Sequence, residues 1–302
     1  MNRPVIALIA AWNSAGVLPA CLAALARENV PAIVADNAST DESAALAEAA
    51  GARVIRNARN EGFGRAINIA ARAAEAEWLL IINPDCVLEA GAMAALLEAA
   101  ARYPQAAALA PRLIEDDGRF FFQNRSMLSE SVIRDKSVTV RGGARENLPS
   151  GDCCAPFLSG ACLMVKLEVF LALGGFDENI FLFYEDDDLC RRLCDAGHAL
   201  MHVHAAVARH QRGASSAPAK GARFRARWHM AWSRIYAAKK HGLAADPLIE
   251  ALKALPQAAL SLFAWPFSPV TTERYCGTFA GYLAAWRGRT AVQREGLGGA
   301  GR

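Results

Sequence analysis

The chain has 302 residues, of which 53% are hydrophobic and 21% charged. That length suits one large α/β domain or two smaller ones and excludes a mini-protein held by disulfides, while the apolar content excludes a mainly disordered chain. The net charge of +3 is too small by itself to suggest nucleic acid, but it is unevenly spread: residues 219–302 carry net +9 and residues 1–218 carry net −6. A basic tail behind an acidic body suits an anionic surface or substrate near the C-terminus, or a solvated basic face.

In chain order, Val5–Ala11 reads as a buried strand, followed by a helix from about Val17 to Glu28. Ala32–Ala35 is the next strand, with a helix from about Asp41 to Ala50. Arg53–Arg56 is a third strand, with a helix from about Phe63 to Glu75, and Trp78–Ile82 a fourth, with an Ala-rich helix from about Ala90 to Tyr103. This alternation predicts βαβ units and a parallel sheet buried between helices. From Pro111 to Ser150 the pattern loosens, and Gly142-Gly143 marks a loop or small insertion. Phe157–Val165 reads as another strand, then a short helix ending at Gly174-Gly175, a helix over 185–196 and a strand over 199–208. Arg212–Ala222 reads as a linker, and helices are expected near 223–241, 246–264 and 271–287, with a disordered end from Gly296 to Arg302.

The eight cysteines include no C-x-x-C pair, so they read as reduced core residues of a cytosolic protein. The apolar start of the chain is too short for a signal sequence, and no stretch offers about 18 clean apolar residues for a membrane span. Leu255–Phe267 carries Pro256 and Pro266 and suits a membrane interface, core packing or an oligomer contact.

In an open parallel sheet, ligands bind beyond the carboxyl ends of the strands. Polar groups follow every predicted strand: Trp12, Asn13 and Ser14; then Asp36, Asn37, Ser39, Thr40 and Asp41; then Asn60, Gly62 and Gly64; then Asn83, Pro84 and Asp85. Asp36 suits either an Asx turn or a nucleobase or ribose contact. The NEGFGRAIN stretch, 60–68, lacks the third glycine of a dinucleotide fingerprint, and no P-loop occurs. Asp85 is placed to reach a divalent cation, and His210 could complete that site. The densest signal is the run Glu185-Asp186-Asp187-Asp188 at a helix start, where mutual repulsion and neighbouring aromatics would push a carboxyl towards use as a base, or where it simply caps the helix.

The ordered set DNASTD, NEGFGRAIN, NPD, SGACLMVK, GGFDENIFLFYEDDDLCRRL and H-x-x-G-x-S resembles the family 2 glycosyltransferases, within them the bacterial rhamnosyltransferase-like branch, over about residues 4–241. The resemblance implies a GT-A fold: a Rossmann-like, mostly parallel central sheet flanked by helices, with a C-terminal helical extension. Residues 1–218 would be the nucleotide-sugar-binding catalytic domain and 219–302 a basic extension for membrane-surface or oligomer contact. Asp36 would contact base or ribose, and Asn37, Asn60, Gly62, Asn68 and Asn83 would complete the substrate pocket. Asp85 and His210 would hold Mg²⁺ or Mn²⁺. Asp186 would be the general base of an inverting transfer, Glu185 and Asp188 would support the acceptor site, and Arg191 or Arg192 would orient the acidic run. The donor would be a nucleotide sugar, with dTDP-rhamnose favoured over UDP- or GDP-sugars, and the acceptor a glycan or lipid-linked hydroxyl in the cytoplasm, at the inner face of the membrane. Two features depart from the family pattern: Asn83-Pro84-Asp85 stands where D-x-D is usual, and the extra Asp187 competes with Asp186. A competing reading is a non-catalytic nucleotide-sugar-binding subunit of a polysaccharide assembly, which Asp85 and the full acidic run oppose. Nucleic-acid binding through the tail is opposed by Trp228, Trp232 and Tyr236, whose spacing suits a core-facing helix side.

Overall fold

The structure, a computed structural model, describes residues 3–115, 149–211, 221–263 and 268–297, together with 118, 120, 121, 126, 128, 213–215 and 265. Gly142-Gly143, most of the loosened stretch before Ser150, parts of the Arg212–Ala222 segment and the end of the chain from 298 lie outside the described residues. The chain divides into two compact units: the first holds 3–115, 149–176 and 189–215, and the second holds 177–188 and 221–297.

The first unit begins as the alternation predicts, with β1 (Arg3–Ala11), α1 (Leu18–Arg27), β2 (Ala32–Asp36), α2 (Ser43–Ala49), β3 (Arg53–Arg56), α3 (Phe63–Arg72) and β4 (Ala76–Ile82). It continues through β5 (Cys86–Leu88), α4 (Ala92–Arg102), β6 (Ala106–Glu115), β7 (Phe120–Phe121), β8 (Cys153–Cys154), β9 (Cys162–Lys166), α5 (Leu167–Ala172), the part of α6 (Glu185–Asp195) from Leu189 on, and β10 (Ala199–His210). Among the described residues the sheet runs β3-β2-β1-β4-β9-β6-β10-β5, with β7 on β6 and β8 on β10. It is parallel across β3-β2-β1-β4 and mixed beyond, where β9 runs antiparallel to both β4 and β6.

Alternation of side chains along a strand divides each apolar run between two cores. Trp78, Leu80 and Ile82 join Val5, Ala7 and Ile9 against α1 and α4, whereas Leu79 and Ile81 join Ile6 and Leu8 against α3 and α5. Both faces are therefore covered, which is why β4 reads as an uninterrupted apolar segment.

Two elements and the cysteines depart from expectation. The strand expected at Phe157–Val165 is confined to Cys162–Lys166, where pairing with β4 begins at Cys162. The segment after Tyr103, expected to lead into loops from Pro111, instead forms the ten-residue β6 through Pro111 itself. Pro111 is opposite Val203, where the register with β10 shifts to Val207 against Arg112. A proline that cannot donate to the ladder is tolerated at such an irregularity. The cysteines also divide: all eight are free, and Cys21, Cys86, Cys162 and Cys190 are buried as expected, but Cys154 and Cys194 are exposed. Cys154 sits on the two-residue β8 and Cys194 in the last turn of α6, beyond the face that buries Leu189, Cys190 and Leu193.

The second unit contains α7 (Ala222–Lys240), α8 (Pro247–Phe263), α9 (Pro269–Trp286) and α10 (Ala291–Arg294). Trp228, Trp232 and Tyr236 stack successively along α7, and the first two are buried with Phe181 and Val292. Helices α7 and α9 run in the same direction at close range. A Cβ at Gly277 would lie 2.5 Å from the Phe224 carbonyl oxygen, and one at Gly281 would strike the Trp228 carbonyl. Among the described residues no helix is long and apolar enough to cross a membrane.

Candidate active site

The loops leaving β1 and β2 are laced together at the carboxyl rim of the sheet. Asn13, in the left-handed region at φ 52°, accepts the Thr40 N–H at 2.8 Å, and the N–H groups of Ser14 and Ala15 donate to Ser43 Oγ (2.7 Å) and Asp41 Oδ2 (3.0 Å). Asp36, the last residue of β2, is buried. Its Oδ2 accepts the Ser39 N–H at 3.2 Å, while Oδ1 has no hydrogen-bond partner. A buried acceptor left open costs free energy, so this oxygen is suited to a donor brought by a ligand.

Asn37 organises the neighbouring glycine loop. Its Nδ2 donates to the Gly62 carbonyl at 3.1 Å, and its Oδ1 accepts from Asn57 Nδ2 at 2.9 Å and the Glu61 N–H at 3.3 Å. Asn60 Oδ1 accepts the Gly62 N–H at 2.9 Å. Gly62 has φ 84° and ψ 179°, a combination open essentially to glycine, and from it the chain enters α3. Asn68, further along that helix, is buried and braces a different segment: its amide donates to the Phe176 carbonyl (2.8 Å) and accepts the Phe176 N–H (2.9 Å). Asn37 and Asn68 thus spend these amide groups on backbone and on Asn57, holding the loop and the turn in place.

Asp85 and His210 are joined by a strand pairing that leaves no trace in the sequence pattern. The short β5 runs antiparallel to β10 with Cys86 opposite His210, which sets residue 85 beside the exit of β10. The Asp85 carbonyl accepts the Gln211 N–H at 2.9 Å and its Oδ2 accepts the Ala214 N–H at 3.2 Å. The other oxygen, Oδ1, is buried without a hydrogen bond, 3.4 Å from His210 Nε2. That separation lies within ion-pair range and beyond a good hydrogen bond, so one carboxylate oxygen and one imidazole nitrogen converge without satisfying each other. Oxygen and imidazole donors fit Mg²⁺ or Mn²⁺ if a ligand's oxygens and water complete the shell. Among the described residues no group of three or more His, Cys, Asp and Glu side chains could hold a metal alone. Ser14 Oγ donates to the Ser215 carbonyl at 2.5 Å, so the segment expected to be a linker bonds, over 213–215, both to Asp85 and to the β1 exit.

The acidic run is preceded by two residues in the left-handed region, Phe183 (φ 67°) and Tyr184 (φ 70°). Bulky residues there are outliers that surrounding structure must hold. Tyr184 is packed with Ala237 and Met230, and the Asp188 N–H donates to its carbonyl at 2.9 Å. The four carboxylates differ. Glu185 is buried with Oε2 lacking a partner, and burial, then the charge of Asp186, push its carboxyl well above the usual range. Asp187 is buried, whereas Asp186 is partly exposed and accepts the Asp187 N–H at 3.0 Å. Asp188 is fully buried, with Oδ1 at 2.7 Å from Lys240 Nζ and 2.9 Å from His241 Nε2. Arg191 pairs with Asp195 at 2.9 Å within its own helix, and Arg192 donates to the Leu173 and Gly175 carbonyls at 2.9 and 2.8 Å. Lys240 and His241 lie some fifty residues from Asp188, at the end of α7, a separation that leaves no local signal in the sequence.

The glycosyl transferase family 2 profile matches residues 6–173, more than half of the chain. The chain belongs to that family. It is 33% identical over 211 residues to the N-acetylglucosaminyl-diphospho-decaprenol L-rhamnosyltransferase of Mycobacterium tuberculosis, covering 62% of this chain and 68% of that relative. It is 26% identical over 193 residues to the rhamnosyltransferase WbbL of Escherichia coli, covering 59% of this chain and 71% of WbbL. Among solved structures, the mannosyltransferase PcManGT of Pyrobaculum calidifontis, in complex with GDP-Man and Mn²⁺, superposes with a TM-score of 0.55 at 17% identity, over 94% of this chain and 87% of that one. The fold is the GT-A fold, and the protein is a rhamnosyltransferase-like glycosyltransferase of family 2. The matched span includes Asp36, the glycine loop and Asp85, and ends before the acidic run and His210.

Proposed function

We propose that this glycosyltransferase moves a deoxyhexose, rhamnose on dTDP in the first instance, from a nucleoside diphosphate to a hydroxyl of a glycan or lipid-linked acceptor during cell-wall or polysaccharide assembly. The observation that carries the reading is the open oxygen of Asp85 facing His210 Nε2 at 3.4 Å. These two side chains would hold Mg²⁺ or Mn²⁺ with the donor's phosphate oxygens; the cation supplies positive charge against the leaving diphosphate. A structural neighbour bound to a GDP-sugar and Mn²⁺ supports that chemistry, as does a relative whose name specifies a diphospho-decaprenol acceptor.

Asp36 Oδ1 accepts from the base or ribose, and the loop of Asn37, Asn60 and Gly62 shapes that pocket together with Asn83. Asn68 acts through the Phe176 turn. Asp186 removes the proton of the acceptor hydroxyl; the oxygen bonds to the anomeric carbon as the bond to the diphosphate oxygen breaks, with inversion. Of the two adjacent candidates, Asp186 is the partly exposed one and Asp187 the buried one, which favours Asp186 as the group an acceptor can reach. Glu185, whose carboxyl is kept protonated over a wider range, and Asp188, held by Lys240 and His241, keep the run in place for the acceptor. Residues 1–218 are proposed to carry the donor chemistry and 219–302 an accessory role.

The test is turnover of dTDP-rhamnose with a polyprenyl-diphosphate-linked acceptor, with and without Mn²⁺, with the anomeric configuration of the product read by NMR. An inverted product formed only with the cation is expected. Nucleotide-sugar binding without transfer or hydrolysis would instead make the protein a binding subunit.

A further inference from the structure

Helix α8 is unusual for a surface helix. In its seventeen residues, Pro247–Phe263, the charged side chains are Glu250 and Lys253. Both are engaged: Glu250 with Arg234 at 3.0 Å, and Lys253 with Glu250 at 2.6 Å. Its buried residues are Pro247, Ala251, Ala258 and Ser261, a narrow and mostly small-residue seam. The large apolar residues point away from that seam. Ile249, Leu252 and Leu255 are 49, 58 and 44% exposed, and the stripe continues through Leu260 (69%), Phe263 (83%) and Trp265 (52%). Of the twelve large apolar residues exposed among the described residues, nine lie between 248 and 270. Scattered exposed apolar residues need no explanation, but a contiguous set of this size marks a contact surface.

The charge beside this set identifies what it contacts. Helices α7 and α9 run in the same direction, with Gly277 against Phe224 and Arg227. One turn earlier in each helix stand Arg274 and Arg223, so Arg223, Arg227 and Arg274 gather at the amino end of the pair. Arg223 and Arg274 are exposed, and each depresses the Arg227 guanidinium below its ordinary value, after burial, as like charges close together do. This is also the end where α8 finishes and α9 starts: Thr272 Oγ1 donates to the Ser261 carbonyl at 2.6 Å. The exposed stripe of α8 therefore runs up to the end where the guanidinium cluster stands, with Leu260, Phe263 and Trp265 at that end.

We propose that the outer face of α8, with the turn carrying Trp265 and the Arg223–Arg227–Arg274 cluster at its carboxyl end, docks on the surface of a membrane rich in anionic lipids, with α8 lying in the interfacial plane. Apolar side chains enter the headgroup–acyl boundary and the arginines engage lipid phosphates. Lipid phosphates supply the counter-charge for these guanidiniums, whereas a second copy would bring the same apolar and basic patch. The inference concerns the helical unit alone and does not depend on the transfer chemistry.

Flotation of the full chain on phosphatidylcholine vesicles, with and without phosphatidylglycerol, tests it. The protein is expected to float with the anionic vesicles, and less so as salt rises. Leu260→Asp and Phe263→Asp should each lower the vesicle partition coefficient about tenfold or more, the loss expected from withdrawing one large apolar side chain. Because both side chains are exposed, urea midpoints should stay unchanged. Arg223→Ala with Arg274→Ala should remove the preference for anionic over neutral vesicles. The proposal is overturned if the wild-type chain stays with the unbound fraction, or if it floats equally on neutral vesicles. It is overturned equally if light scattering shows a dimer that Phe263→Asp converts to monomer while vesicles bind neither form.

Discussion

Replacing Gly175 by alanine tests how the glycine loop and the turn at Phe176 are held. Gly175 has φ 71°, and a Cβ there would strike Asn68 Oδ1 and lie 2.9 Å from Asn68 Cγ. Asn68 cannot simply yield, because its amide makes both hydrogen bonds to the Phe176 backbone, at 2.8 and 2.9 Å. Its neighbour Gly174 has φ 78°, but a methyl group there would meet nothing within 4 Å, so it is an internal control. Gly174→Ala should cost only the left-handed backbone penalty, about 1 kcal/mol. Gly175→Ala should cost that plus two buried hydrogen bonds broken on one side, about 1–3 kcal/mol each, or about 3–7 kcal/mol in all. Urea unfolding measures both. In an Asn68→Ala background the main obstruction is gone and only the Phe170 ring edge, at 3.1 Å, stays close, so Gly175→Ala should fall back to about 1–2 kcal/mol. Equal destabilisation by the two glycine substitutions in the wild-type background would refute the brace.

Asp186→Asn should fold normally, with an unchanged urea midpoint, and lose at least about a hundredfold in kcat; unchanged turnover would reject Asp186 as the base. Glu185 carries a pH signature. Its folded carboxyl titrates well above the ordinary 4.5, so its contribution to stability is complete below about pH 4.5 and is lost as pH rises through the folded value. Glu185→Gln should therefore flatten the decline of stability above pH 4.5, with wild type and variant converging below it; parallel profiles across that range would show that the carboxyl titrates normally.

The N-terminal half of the fold is legible in the sequence because each strand is an apolar run bounded by polar loops, and each crossover is short. Elements whose pairing depends on distant partners are not. The segment of β6, AAALAPRLIE, continues an alanine-rich helix in composition and contains a proline, and only the register shift in β10 explains its place in the sheet. The three-residue β5 carries no periodicity, yet its pairing with β10 is what sets Asp85 beside His210. At the candidate site, Asp36, Asp85, His210 and the acidic run stand out by residue type and position. What they touch does not: Lys240 and His241 against Asp188, and the Ala214 N–H against Asp85, come from segments that read as a helix end and a linker. Asn37 and Asn68 look in sequence like ligand-facing amides, and only the folded chain shows them bonded to the protein itself.

Calorimetric titration of dTDP, with UDP and GDP in parallel, against the wild-type chain, Asp85→Asn and His210→Ala, with and without Mn²⁺, measures the pairing at the centre of the proposed donor site. Affinity that rises on adding the cation, and a cation-dependent gain that disappears in both variants while urea stability is retained, is the predicted result. Nucleotide binding of equal strength with and without Mn²⁺, or a gain that survives both substitutions, would contradict it.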